Sequence, residues 1–206
     1  MADNLSSYTL LVQTEVDDTS TNATSLIQQY IKETYQEVLR SPAGKMLIAP
    51  TTTDTAVTPG TAGYTPTTDW MELYGVLYKS AGQTSYNELK EMVKEDYQKY
   101  WINSASSTPM YFVQEGLGIR MVPAPVDAGT LRTITLDVQA ELTSQDSIIP
   151  TRFQNVVKYG AAYRYKAFDD NPAAIEFESY YRKALKDMLM ELMTRVKKVP
   201  TKFFGA

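Results

Sequence analysis

The stretch Leu131–Leu142, LRTITLDVQAEL, decides the fold. Its residues alternate with a period of two. Ile134, Leu136, Val138, Ala140 and Leu142 take one face, and Thr135, Asp137, Gln139 and Glu141 take the other. A strand with one apolar and one polar face belongs in an antiparallel sheet, because parallel sheets are covered on both sides.

Upstream of it the signals are mixed. Met110–Val113 and Gly118–Val122 are short apolar runs separated by a Gly-containing turn, and Pro123-Ala124-Pro125 ends the second. Ser85-Tyr86-Asn87-Glu88 has the form of a capping box. It predicts a helix near 85–102 striped by Tyr86, Leu89, Val93, Tyr97, Tyr100 and Trp101. Asp69–Lys79 alternates as a strand, with Trp70, Tyr74, Val76 and Tyr78 on one face and Met71, Leu73 and Leu77 on the other; Gly75 marks a bulge or a close approach. Lys45–Pro50 fits a short strand. Thr51–Thr68, rich in Thr, Pro, Gly and Ala, reads as a loop or a long β-hairpin, with a disordered linker as the alternative.

Both ends of the chain are helical in pattern. Leu5, Tyr8, Leu11 (or Val12) and Val16 share helical spacing, and Asp17-Asp18-Thr19-Ser20 interrupts it with capping side chains. Ala23, Leu26, Ile27, Tyr30, Ile31, Thr34, Tyr35 and Val38 then form one amphipathic stripe, which Ser41-Pro42-Ala43-Gly44 stops. Beyond Ile149-Pro150, a segment carries Phe153, Val156, Val157, Gly160, Ala161 and Phe168. Its small residues Gly160, Ala161 and Ala162 permit close helix packing. Asn171 and Pro172 restart a long last helix striped by Phe177, Tyr181, Leu185, Met188, Leu192 and Val196.

The fold class is therefore α+β: a helical body made of residues 1–44 and 146–206, with a β-rich antiparallel insertion at 45–145. Residues 199–206 form an extended C-terminal arm, because Pro200 halts the helix. No βαβα alternation is present, which speaks against a doubly wound nucleotide fold.

Composition limits the chemistry. Across 206 residues there is no Cys and no His, which excludes thiol and imidazole catalysis and thiolate or imidazole metal sites. Lys plus Arg number 20 against 24 Asp plus Glu, and a net charge of −4 argues against broad attraction to nucleic acid or acidic membranes. No basic n-region opens the chain, and no apolar run approaches a membrane span, so a soluble, intracellularly made protein is expected. Tyr, at 15 residues against 6 Phe, is enriched in the way protein contacts favour.

The candidate motifs resolve toward structure. Ala43-Gly44-Lys45 lacks the first Gly of a phosphate loop. Asp17-Asp18 and Asp169-Asp170 sit where helices need caps. Glu88, Glu91 and Glu95 interleave with Lys90, Lys94 and Lys99 as a solvated face. Cofactor, metal and catalytic residues are accordingly expected to be none. The tail differs: Lys197, Lys198 and Lys202 interleave with Val199, Pro200, Phe203 and Phe204, and two aromatic anchors on an arm suit a groove on another protein, with a frayed terminus as the alternative.

The order of elements resembles the head-to-tail adaptor (connector) proteins of tailed bacteriophages. The resemblance is carried by the paired helices ending near Tyr35-Gln36-Glu37-Val38-Leu39, by Leu117–Pro125 with its Pro-Ala-Pro exit, and by the alternating Leu131–Leu142. Ile149-Pro150 followed by Phe153, Val156-Val157 and Gly160-Ala161-Ala162 adds to it. It covers most of the chain outside Thr51–Thr68. It implies a non-enzymatic virion protein at the head–tail junction, in a homo-oligomeric ring, usually of twelve copies. That ring would sit on the portal protein, seal the DNA-filled head and offer a platform to the tail or nozzle protein. Double-stranded DNA would pass without tight binding, and no membrane is involved. The arm residues Val199, Pro200, Lys202, Phe203 and Phe204 would grip the portal or a neighbouring subunit. A tail-completion or other neck protein is the alternative, and a carboxylate-based virion-associated glycan hydrolase a more distant one.

Overall fold

The computed structural model describes residues 3–65, 69–101, 107–116, 118–143 and 147–196. The chain divides into two compact units, one of residues 1–48 with 139–206 and one of residues 49–138.

The first unit is built from helices α1 (Leu5–Val16), α2 (Thr21–Arg40), the short α3 (Pro42–Lys45), α5 (Gln154–Phe168) and α6 (Ala174–Val196). Local chemistry sets their ends. Asn4 and Ser20 cap α1 and α2 by accepting from the amides of Ser7 and Ala23. Asp17, in the left-handed region with φ 54°, closes α1. Ser41 ends α2 and caps α3, where Pro42 occupies the first turn. The stripes meet in one core of Tyr8, Val12, Ile27, Ile31, Tyr35, Val38, Val157, Ala161 and Met188, all with at most 2% exposure. Phe168 is an exception to its expected stripe: it lies at the last turn of α5 and is 65% exposed. Asn171 accepts from the Ala173 amide, but α6 begins only at Ala174, so Asn171 and Pro172 lie in the turn before the helix and not at its N-cap and first position. Lys45–Pro50 contains no strand; turns follow α3 there.

The second unit holds two four-stranded sheets. The first has the order β1 (Thr51–Val57), β8 (Gly129–Asp137), β3 (Trp70–Ser80) and β4 (Asn87–Glu88). The second has the order β2 (Gly63–Tyr64), β7 (Gly118–Val122), β6 (Tyr111–Glu115) and β5 (Lys90–Glu91). The pairing is antiparallel apart from β5 with β6. Val57, Val76, Tyr78 and Leu131 of the first sheet share a core with Phe112, Ile119 and Met121 of the second.

Four sequence expectations change here. Thr51–Thr68 supplies strands but no hairpin: β1 joins β8 in one sheet, whereas β2 joins β7 in the other. The helix expected near 85–102 is confined to α4, Lys94–Trp101. Asn87–Glu88 pairs with β3 and Lys90–Glu91 with β6, so the chain crosses between sheets there and buries Leu89. Strand pairing on both sides outweighs the local cap. β8 ends at Asp137 and its phase is mixed: Leu136 is buried as expected, but Leu131, Thr133 and Thr135 are buried as well, and Val138 is 41% exposed past the strand's end. In β3 a register shift between Leu73 and Gly75 is the bulge Gly75 announced. The bulge turns Leu73 onto the core and leaves Tyr74 49% exposed.

Candidate functional site

The arm residues Val199, Pro200, Lys202, Phe203 and Phe204 lie outside the described residues. The surface that can be built is that of the helical unit from which the arm departs.

Close helix packing sets its geometry. Gly160 on α5 leaves room for α2 and for the ring of Tyr181 on α6. Across this junction Arg164 donates from Nε to Thr34 Oγ1 at 3.1 Å, pairs with Glu37, and reaches Glu33 at 3.9 Å. Tyr181 donates to Glu37 Oε1 at 2.9 Å, and burial together with this carboxylate pushes its phenol well above the usual value. Gln36 donates to the Gln139 and Ala140 carbonyls at 3.1 and 3.2 Å. Lys32 lies 3.8 Å from Glu141. Lys32, Glu33, Gln36, Glu37, Glu141 and Arg164 line an open cleft of about 780 Å³ whose charges are largely balanced within it.

A second patch is aromatic. Tyr159 of α5 stands 5.3 Å from Tyr180 and 6.5 Å from Phe177 of α6, ring centre to ring centre. Lys158 covers the Tyr159 ring at 4.2 Å and binds Glu15 at 2.8 Å. Tyr180 is 41% exposed and Ile175 76%, so the patch opens to solvent. The sequence reading took these residues one stripe at a time. The one local signal was the i, i+3 spacing of Phe177 and Tyr180, which puts two rings on one side of α6.

Titration behaviour bears on what the surface can do. Tyr165 holds Asp18 at 2.5 Å, which depresses the Asp18 carboxyl and pushes the Tyr165 phenol up to about 12. Burial pushes Tyr8 up to about 12. Arg132 hydrogen bonds hold the Asp54 carboxyl below its usual range. Each of these shifts moves a group away from neutrality, whereas a general acid or base needs a value near the working pH. Among the described residues no cluster of acidic side chains is placed to hold a metal ion. No helix among them is long and apolar enough to cross a membrane.

The family model described as SU10 adaptor protein matches residues 4–200, and the chain belongs to that family. It is thus a phage adaptor, a structural component of the virion, of a family associated with portal and tail proteins at the virion neck. No curated protein matches the chain.

Proposed function

We propose that this chain is the head-to-tail adaptor of a tailed phage, closing into a ring, of twelve copies, on the portal protein. The ring seals the DNA-filled head and carries the platform on which the tail or nozzle protein assembles. The family match over residues 4–200 is the observation that carries this reading. A ring subunit needs different surfaces for its two neighbours, since heterologous contacts that close generate a ring. The aromatic patch of Tyr159, Phe177 and Tyr180 supplies one surface of suitable chemistry. The arm of Val199, Pro200, Lys202, Phe203 and Phe204 grips the portal or the adjacent subunit, with the two rings as anchors.

Electron-microscopic averaging of the chain mixed with its portal tests the ring directly. Truncation after Lys198 tests the arm: assembly onto the portal is lost while the circular dichroism of the fold is retained. A subunit that joins no ring in any condition overturns the first claim, and assembly that survives truncation overturns the second.

A further inference from the structure

We propose that in the free subunit Phe203 and Phe204 are stowed in an apolar groove on their own helical unit, between α3 and α6. The groove encloses about 250 Å³. Pro42 and Ala43 form one wall and Leu185 and Leu189 the other, with Arg182 and Lys186 at the rim. Such a space is smaller than the usual cofactor or ligand cleft of about 300–1,000 Å³, and it suits side chains.

The α3 wall is rigid. Ser41 Oγ donates to the Val38 carbonyl at 2.6 Å and accepts from the Gly44 amide at 3.2 Å. A Cβ placed on Gly44 would meet the Val38 carbonyl oxygen at 2.0 Å, so this turn is pressed directly against the end of α2. The α6 wall continues toward the arm. Leu185, Leu189 and Met193 recur every four residues along one side of the helix, and Met193 is 45% exposed. An apolar track thus leads from the groove to the root of the arm.

Length selects the occupant. Phe203 and Phe204 stand seven and eight residues beyond Val196, the last residue of α6. If about four residues around Pro200 reverse the chain, the next four, at roughly 3.3 Å each, return about 13 Å along the helix. At 1.5 Å per helical residue, Leu189 and Leu185 lie about 10 and 16 Å back from Val196, so the two rings arrive between them. The cations Arg182 and Lys186 at the rim favour aromatic faces. The stowed arm keeps two exposed rings out of solvent until a partner competes for them. That exchange on assembly rests on the function proposed above; the seat in the free chain does not.

The absence of cysteine makes the test clean, since introduced thiols have no competitors. The full-length double variants L189C/F203C and L185C/F204C are oxidised at high dilution, alongside L10C/F204C, in which Leu10 is 66% exposed on α1. The expected result is an intrachain disulfide in the groove pairs, formed roughly ten-fold faster than in the control because the tethered thiols are held together. Matching thermal melts of the reduced forms verify the fold, and the second pair decides if one variant misfolds. Rates equal to the control overturn the proposal. So does a product dominated by disulfides between chains, which would place the arm on another copy. Neither failure touches the ring, which is read by averaging with the portal.

Discussion

Helix α5 approaches α2 so closely at Gly160 that a Cβ built there would lie 2.4 Å from Thr34 Cγ2. Both residues are buried, and the Tyr181 ring stands 3.1 Å from the same point, so the helices have no slack. Gly160→Ala is expected to cost about 1–3 kcal/mol by overpacking, despite alanine's better helix propensity. Thr34→Ser removes the offending methyl but keeps the Oγ1 that accepts from Arg164. The double variant T34S/G160A should therefore recover part of the loss. Urea denaturation of the two single variants and the double closes the cycle. Simple additivity would show that the clash is elsewhere.

The Tyr165–Asp18 bond gives the helical unit a two-sided pH dependence. Asp18 titrates below the usual carboxylate value in the folded state, chiefly because Tyr165 donates to it. Its contribution is present above the unfolded value and is lost as pH falls through the folded one. Tyr165 is raised from 10.0 to about 12, so its contribution is full below 10 and is lost as pH rises toward about 12. The stability difference between wild type and Tyr165→Phe should thus be flat around neutrality and shrink at both extremes. Denaturation series across pH read this difference. A gap that persists undiminished at about pH 3 would mean the bond does not hold Asp18 ionised.

The sequence revealed the helical body better than the β-rich unit, for a physical reason. In α2 the stripe Ala23, Ile27, Ile31, Thr34, Tyr35 and Val38 is buried as its spacing demands, because a long helix averages over single misplaced residues. A strand has no such averaging: one bulge flips every side chain beyond it. Hence Tyr74, which alternation puts on one face with Trp70, Val76 and Tyr78, is exposed while those three are buried, since the register shift falls between Leu73 and Gly75. In β8 the Thr residues at 133 and 135 are buried, and the Thr135 hydroxyl is satisfied by Asp137 at 2.7 Å. Polarity alone could not show that a hydroxyl would find its partner two residues away. The capping box at Ser85 failed for a non-local reason: Leu89 donates its amide to the Val76 carbonyl at 2.8 Å, drawing the segment into a sheet. Of the candidate site, the sequence offers the arm as two Phe residues beyond Pro200, and these lie outside the described residues. The Tyr159–Tyr180 patch needed the packing of α5 on α6.

Arg132 should clasp the edge of the first sheet in a way that lysine cannot. Its Nε and one terminal nitrogen donate to Asp54 at 2.7 and 2.8 Å, and its guanidinium lies 4.1 Å from the centre of the Tyr86 ring. Tyr86 in turn donates to Asp54 at 3.2 Å. Three segments, β1, β8 and the approach to β4, are joined through one planar group. Arg132→Lys keeps the charge but loses the fork and the stacking, so the thermal midpoint should fall. Arg132→Gln should fall further at low salt, and added salt should narrow the gap between the two variants. Melts at two ionic strengths measure both effects. Equal midpoints for wild type and Arg132→Lys would reduce the clasp to a simple ion pair.

If the proposed ring lets DNA pass without tight binding, its cations face a quantitative demand. Duplex affinity comes mainly from counterions released as Lys and Arg neutralise phosphates. Many of the cations here already face a carboxylate: Arg120 faces Glu115, Arg132 faces Asp54, Arg152 and Arg195 face Glu191, Lys158 faces Glu15, and Arg182 faces Glu178. A phosphate would have to displace these partners, and the net charge of −4 adds repulsion at a distance. Fluorescence anisotropy with a short random duplex at physiological salt should show a Kd no tighter than about 10⁻⁴ M, the weak end of non-specific binding, with a shallow dependence on salt. A micromolar or tighter Kd that collapses steeply with salt would reveal a cationic surface that grips DNA, and the channel would then need another account of how DNA moves.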